Sequence, residues 1–280
     1  MISTSVALLV LLSALMHAGW NFVVKASADR FLDYTGLAVA GAVVAACVLP
    51  WLPLPAPASW PWLASTSFIH VGYYLLLMRA YQHADLSIAY PLMRGSAPVL
   101  VALAAPLAGD VLTPGLVFGV ALVDAGIALP VGGGIRGGGV SRPGLAYGFA
   151  TAGVIALYTI VDGIGARFSG HAVAYTFWLF FLNAWLVLGV ALWRRGRATF
   201  DHLRRRWLFS LLGSVLTIGS YAIVLWAMTV ASIPAVAALR ETSVIFAAIM
   251  GAWLLKERMG RWRIGGAMLV ALGAASIRWG

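Results

Sequence analysis

The fold is decided by a stretch that occurs twice, as GVALVDAGIA at residues 119–128 and as GAMLVALGAA at residues 266–275. Both copies have glycine at the first and eighth positions, Leu-Val at the fourth and fifth, and alanine at the tenth. The chain therefore contains two copies of one structural unit. The same shift aligns further pairs outside these stretches, namely Gly72 with Gly219, Tyr74 with Tyr221, Asp110 with Glu257 and, after one gap, Arg94 with Arg240.

The composition places this repeated unit in a lipid bilayer. The chain is 62% hydrophobic and only 10% charged, and its mean hydropathy is +0.93, whereas a soluble domain carries about 25% charged residues. The net charge of +10 comes from basic residues in short loops between apolar runs. That distribution indicates contact with anionic lipid headgroups rather than with nucleic acid.

Metal and cofactor chemistry is not expected. The single cysteine, Cys47, lies in an apolar run, and the His, Asp and Glu residues do not follow a metal-ligand spacing. The glycine-rich segment 132–139 lacks the lysine and the strand–helix context of a phosphate-binding loop. We therefore predict no metal, no cofactor and no ATP site.

Ten apolar runs have the length of about 20 residues that a helix needs to cross a bilayer. Five runs fall in each copy of the unit, and an odd number makes the second copy enter from the opposite side. The predicted fold is an all-α integral membrane protein in which two inverted five-helix repeats, 1–131 and 143–280, are joined by a linker at 132–142 around a central cavity. The predicted spans are 3–24, 33–52, 62–82, 86–107, 113–131, 143–163, 173–194, 207–229, 233–255 and 261–278.

The basic residues also give a prediction of orientation. Most of the 19 Lys and Arg residues fall in the loops after the odd-numbered spans. The positive-inside rule then places both termini outside the cell.

A resemblance to a known family comes from three groups of residues. Gly109-Asp110 precedes Gly119 and Gly126, Lys256-Glu257-Arg258 precedes Gly266 and Gly273, and the first span contains His17-Ala18-Gly19-Trp20-Asn21. This pattern resembles the EamA-type branch of the drug/metabolite transporter superfamily, and within it we prefer the YddG-type amino-acid exporters as relatives. Asp110 departs from that pattern, where glutamate is commoner. The resemblance favours both termini inside the cell, opposite to the charge distribution.

The resemblance implies an exporter of amino acids or similar zwitterions, working by alternating access in a bacterial inner membrane. Three alternatives stay open, and one of them is a non-transporting scaffold that would tolerate mutation of both Arg94 and Arg240. An exporter of drugs or other cationic metabolites would depend on a cavity carboxylate instead of an arginine. A membrane-embedded enzyme would use His17, Asp124 or Glu241 as acid and base, but the sequence contains no nucleophile-plus-base motif. Expected partners are a small-molecule substrate and lipid, without nucleic acid, in a monomer or a dimer.

Candidate site residues follow from the cost of placing charge inside a span. Arg94 and Arg240 occupy matching mid-span positions, where a guanidinium group can bind a substrate carboxylate. Each arginine could instead pair with a carboxylate such as Asp124 or Glu241. Aromatic side chains with polar tips suit a cavity for amphipathic solutes. The cavity candidates are Trp20, Asn21, Tyr74, Arg94, Tyr158, Tyr221, Arg240 and Glu241, with Tyr81 and Tyr90 as candidate gate residues and Asp124 and His17 as candidate coupling residues.

Overall fold

The computed structural model describes residues 2–25, 29–83, 86–136, 141–254 and 260–279, and this part of the chain is helical throughout apart from its connections. Short 3₁₀ turns lie at Leu49–Trp51, Pro57–Ser59 and Ala105–Ala108. The α-helices are α1 (Thr4–Lys25), α2 (Arg30–Val48), α3 (Trp60–His83), α4 (Leu86–Leu103), α5 (Pro114–Arg136), α6 (Arg142–Phe168), α7 (Ala172–Arg195), α8 (Ala198–Arg205), α9 (Trp207–Val230), α10 (Ile233–Arg240), α11 (Ser243–Leu254) and α12 (Arg261–Trp279).

Six segments of the described chain are long and apolar enough to cross a membrane. Two shorter apolar helices, Leu92–Leu103 and Pro114–Leu129, add to them. These segments indicate a multi-pass membrane protein. The six segments are Thr4–Asn21, Arg30–Trp51, Arg142–Phe168, Ala172–Arg195, Trp207–Val230 and Ile233–Met250.

Each apolar run of the sequence overlaps one or two helices, but several boundaries differ from the prediction. The run 86–107 ends as a helix at Leu103, because Pro106 cannot continue it and the chain turns into a 3₁₀ segment. Helix α5 continues to Arg136, inside the segment predicted as linker. The run 233–255 is not one helix, since it breaks at Glu241-Thr242 into α10 and α11.

The helix break has a local cause. The hydroxyl group of Thr242 donates to the carbonyl oxygen of Leu239 at 2.7 Å, and Glu241 N–H bonds Ala238 at 3.1 Å in a tightened last turn. Side-chain bonds to the main chain of this kind compete with helix propagation. The break leaves Arg240 at the carboxyl end of α10 and Glu241 just before α11, so each charge complements the nearby helix dipole.

The repeated glycines of the sequence form the contact between α5 and α12. A Cβ atom on Gly126 would lie 2.6 Å from the carbonyl oxygen of Gly266, and one on Gly119 would lie 2.8 Å from that of Gly273. The two helices therefore run antiparallel with their backbones in close contact. Small residues allow this approach, which is how helices gain packing energy in lipid.

We expect Gly126→Ala to lower the stability of the protein by about 1–3 kcal/mol, because the added methyl group meets main-chain atoms that cannot move aside. The measurement is the apparent melting temperature of the purified protein in detergent. Gly153→Ala is the matched control, since nothing lies within 4 Å of a Cβ atom there. In that helix interior alanine should raise stability by about 0.5–1 kcal/mol.

Candidate functional site

A small charged cavity lies inside the bundle, where α4, α6, α9 and α10 meet. It has room for about one water molecule. Apolar residues form most of its wall, and three ionisable side chains enter it, those of Arg94, Arg240 and Glu241. Two guanidinium groups against one carboxylate give the lining an excess of positive charge.

Arg94 and Glu241 form a two-pronged ion pair across the cavity. Arg94 Nη2 donates to Glu241 Oε1 at 2.7 Å, and Nε donates to Oε2 at 3.1 Å. Both side chains are more than nine-tenths buried. Two parallel bonds match the fork of the guanidinium group to the carboxylate, so this pair ties α4 to the break between α10 and α11. Of the two carboxylates that the sequence offered to Arg94, the structure selects Glu241.

Arg240, the repeat mate of Arg94, has a different environment. Its Nη2 donates to His17 Nδ1 at 3.3 Å, and its guanidinium carbon lies 5.4 Å from the centre of the Tyr221 ring. Its Nε is buried and forms no hydrogen bond. Arg240 is therefore oriented by an imidazole and an aromatic face, and it retains a donor that a bound anion could use.

His17 acts as an acceptor in this arrangement. Its Nδ1 receives bonds from Arg240 and, at 3.2 Å, from Trp20 Nε1. Because both partners can only donate, Nδ1 must present its lone pair. The side-chain amide of Asn21 donates to the main-chain oxygen of His17 at 2.8 Å, one turn earlier in α1.

Three of the predicted aromatic residues, Trp20, Tyr74 and Tyr158, belong to one continuous series of ring contacts. Trp20 and Tyr74 both contact Tyr34, with ring centres 6.2 and 4.5 Å apart. Tyr73 then joins Tyr74 to Tyr158, which stacks on His70 at 4.7 Å. These contacts account for the orientation of the rings without a ligand.

The remaining candidates are placed as follows. Asp124 lies on α5, and neither of its carboxylate oxygens has a hydrogen-bond partner. Tyr81 and Tyr90 were predicted as gate residues, and their side chains lie outside the part of the chain that the structure describes.

One end of the bundle is closed by a network that sequence reasoning missed, which we call the Asp110 latch. Arg167, near the end of α6, bonds Asp110 Oδ1 at 2.8 Å. Asp110 Oδ2 accepts the main-chain N–H of Ile233 at 2.8 Å and so caps α10. The other N–H groups of Arg167 donate, at 2.8–3.0 Å, to the main-chain oxygens of Ala108, Met228 and Ala231.

The latch yields a prediction about access to the cavity. Asp110→Asn removes the negative charge that joins Arg167 to α10. We expect this to lower the free energy needed to open that end of the bundle by about 1.5 kcal/mol, so the open population rises about tenfold. The readout is the rate at which a water-soluble thiol reagent labels Ala237→Cys, a cavity position, in a Cys47→Ser background. Asp201→Asn, on the exposed face of α8, is the control and should not change that rate. Equal labelling in Asp110→Asn and its parent would show that the latch does not limit access.

Two further buried acids were not identified as site residues from the sequence. Asp33 on α2 bonds His202 Nε2 at 2.6 Å and lies 2.8 Å from Arg206 Nε, at the end of the bundle opposite to the latch. Asp162 appeared to lie near a span end because the run was predicted to stop at 163. The helix α6 continues to Phe168, which places Asp162 inside the bundle with no exposed surface.

Comparison with known proteins gives a family match and a fold match. Residues 142–279 match the model of the EamA-like transporter family. A protein of known crystal structure superposes with a TM-score of 0.71, covering 98% of this chain and 96% of its own, at 18% identity. At that identity the likeness concerns the fold alone. No match to a curated protein was found. The apolar helices and the family match over residues 142–279 together indicate a multi-pass membrane protein, and the EamA-like family implies a membrane transporter of the drug/metabolite transporter superfamily.

Proposed function

We propose that this chain is a ten-span exporter of amino acids, similar to the YddG-type exporters, in the inner membrane of a bacterium. The observation that carries the proposal is Arg240, which is oriented in a central cavity beside Glu241 and has an unused buried donor. The EamA-like family consists of transporters and not enzymes, which supports transport as the reaction class.

Helix pairing supports the proposed inverted repeat and the division at 132–142. In the repeat, α1 corresponds to α6 and α3 corresponds to α9. Helix α1 packs on α9 as α6 packs on α3. The corresponding helices α5 and α12 run antiparallel. The corresponding helices α2 and α7 do so too, because Asp29 Oδ2 before α2 lies 3.8 Å from Arg195 Nη2 at the end of α7, and Gly41 faces Phe180. Mates in inverted repeats must run in opposite directions.

The charge of the cavity favours a substrate with a carboxylate. With an excess of positive charge in a setting of low dielectric constant, a cationic solute is repelled and a carboxylate is attracted. Glu241, beside Arg240, offers an acceptor for the amino group of a zwitterion. These features favour amino acids over the cationic drugs that remained an alternative from the sequence.

The closed cavity implies that transport needs helix movement. Space for about one water is too little for an amino acid, so α4 and α10 must separate before a substrate can bind. The Asp110 latch closes one end of the bundle, and Asp33 with His202 and Arg206 lies at the other. Alternating access would open these two ends one after the other. Asp124 and His17 remain sequence-based candidates for ion coupling.

The test is counterflow of radiolabelled solutes into liposomes that contain the purified protein. The panel holds aliphatic and aromatic amino acids, the corresponding amino-acid amides, carboxylic acids without an amino group, and a cationic drug. We expect uptake of amino acids and little uptake of amides, which lack the carboxylate. Uptake of the drug without uptake of any amino acid would overturn the proposal in favour of the drug-exporter alternative.

A further inference from the structure

A second polar cluster lies in the bundle and does not line the charged cavity. Its centre is Asp162 of α6, which is completely buried. Tyr221 of α9 donates its hydroxyl proton to Asp162 Oδ2. The other carboxylate oxygen, Oδ1, has no hydrogen-bond partner, and neither does the hydroxyl group of Tyr175, which is also completely buried.

The two unpartnered groups face each other. Tyr175 projects from α7 onto α6 and lies against Gly165, one turn beyond Asp162, where a Cβ atom would collide with its hydroxyl group. The cluster therefore contains a carboxylate oxygen and a phenol oxygen near each other, with no hydrogen bond between them.

The charged and titratable groups around Asp162 come from every helix packed against it. His70 of α3 is bonded to Thr66 through its Nδ1, at 2.9 Å to the main-chain oxygen and 3.1 Å to the hydroxyl group. Helices α7 and α9 contribute Tyr175 and Tyr221, and α10 contributes the apolar Ile233 against Gly163. On α6 itself, Tyr158 stacks on His70, and Arg167 bonds Asp110 in the latch. Helix α4 carries Arg94, which pairs with Glu241.

No cationic side chain of the described residues forms an ion pair with Asp162. A buried carboxylate without such a partner is far more costly than the neutral acid. A proton on Oδ1 removes the charge, and the resulting O–H group has the Tyr175 oxygen available as its acceptor. A proton thus removes the cost of an isolated buried charge, whereas a metal cation would need more oxygen ligands than this cluster offers.

We propose that Asp162 is a proton-binding site and, resting on the proposed function, that its proton is the one exchanged during the transport cycle. Tyr221 connects the two sites, because its hydroxyl group bonds Asp162 while its ring faces the Arg240 guanidinium group. Movement of Arg240 towards a substrate carboxylate displaces Tyr221 and loosens α9 from α6. Water then reaches Asp162, and the hydrated carboxyl group releases its proton.

The proton site can be tested without a substrate. Infrared spectra of the protein in lipid nanodiscs should show a carboxylic-acid C=O band that Asp162→Asn removes and that Asp201→Asn, an exposed control, retains. Tyr175→Phe deletes only the acceptor hydroxyl group, and we expect the fold to be kept. The C=O band of Asp162 should then move to higher frequency, because the acid O–H group loses its hydrogen-bond acceptor. A spectrum in which neither Asp162→Asn nor Tyr175→Phe changes any acid band overturns the proposal.

The role in transport is tested by comparing two assays on the same liposomes. Counterflow needs no net proton movement, whereas accumulation driven by an imposed pH gradient does. Asp162→Asn should keep counterflow and lose accumulation. Loss in Asp124→Asn instead, or accumulation driven by a sodium gradient, would contradict the coupling role of Asp162. If the wild type moves no amino acid at all, the proposed function fails, and the infrared band still decides the proton site.

Discussion

Arg240→Ala is expected to reduce amino-acid counterflow by about 10- to 100-fold. This is the loss in rate expected when a charged hydrogen bond to the carboxylate of the bound substrate is removed. Arg240 is the cavity cation that forms no ion pair with an acid among the described residues, and its Nε is available to a ligand. The measurement is the initial rate of uptake into liposomes at substrate concentrations below half-saturation.

Two further variants make this prediction specific. Arg240→Lys keeps the charge but loses the planar fork, so we expect an intermediate rate. Arg204→Ala removes an arginine from the exposed surface of α8 and should leave uptake unchanged. Wild-type rates in Arg240→Ala would exclude this residue from the substrate site.

Arg94→Met is expected to destabilise the protein by about 3–5 kcal/mol, because it leaves Glu241 buried without a partner. The double variant Arg94→Met with Glu241→Met should recover most of that loss, since it replaces both charges with apolar side chains in an apolar wall. The measurement is the apparent unfolding midpoint in detergent, for the two single variants and the double variant in one thermodynamic cycle.

The cycle separates a structural ion pair from two independent charges. A coupling energy of a few kcal/mol is expected for the two-pronged pair, and additive losses would contradict the interaction. Uptake should be lost in all three variants, so stability rather than transport is the informative quantity here.

The positions of the helices could be predicted from the sequence because they depend on local properties. Apolar length sets a helix that crosses lipid, and proline, glycine and charged residues end it. These signals need only neighbouring residues along the chain. The repeated glycines permit close helix packing, but tertiary structure decided that they join α5 to α12.

The partners of the charged residues were decided by tertiary structure. Nothing near Arg94 in the sequence distinguishes Asp124 from Glu241 as its acid, and the choice follows from how α4 packs against the break after α10. That break lies inside the run 233–255, whose overall hydrophobicity predicts one continuous helix. Asp162 was predicted to lie near the end of a span. Its burial follows from the packing of α3, α7 and α9 around α6, which the sequence does not show.

The sequence by itself determined that this is a helical, multi-pass membrane protein, because hydrophobic length is a property of the chain. Tertiary structure alone decided which of Arg94 and Arg240 pairs with an acid, which acids are isolated, and which end is held by the Asp110 latch. Those outcomes depend on contacts between helices far apart in the chain, where the energy of a charge is set by the partner and the burial that folding provides.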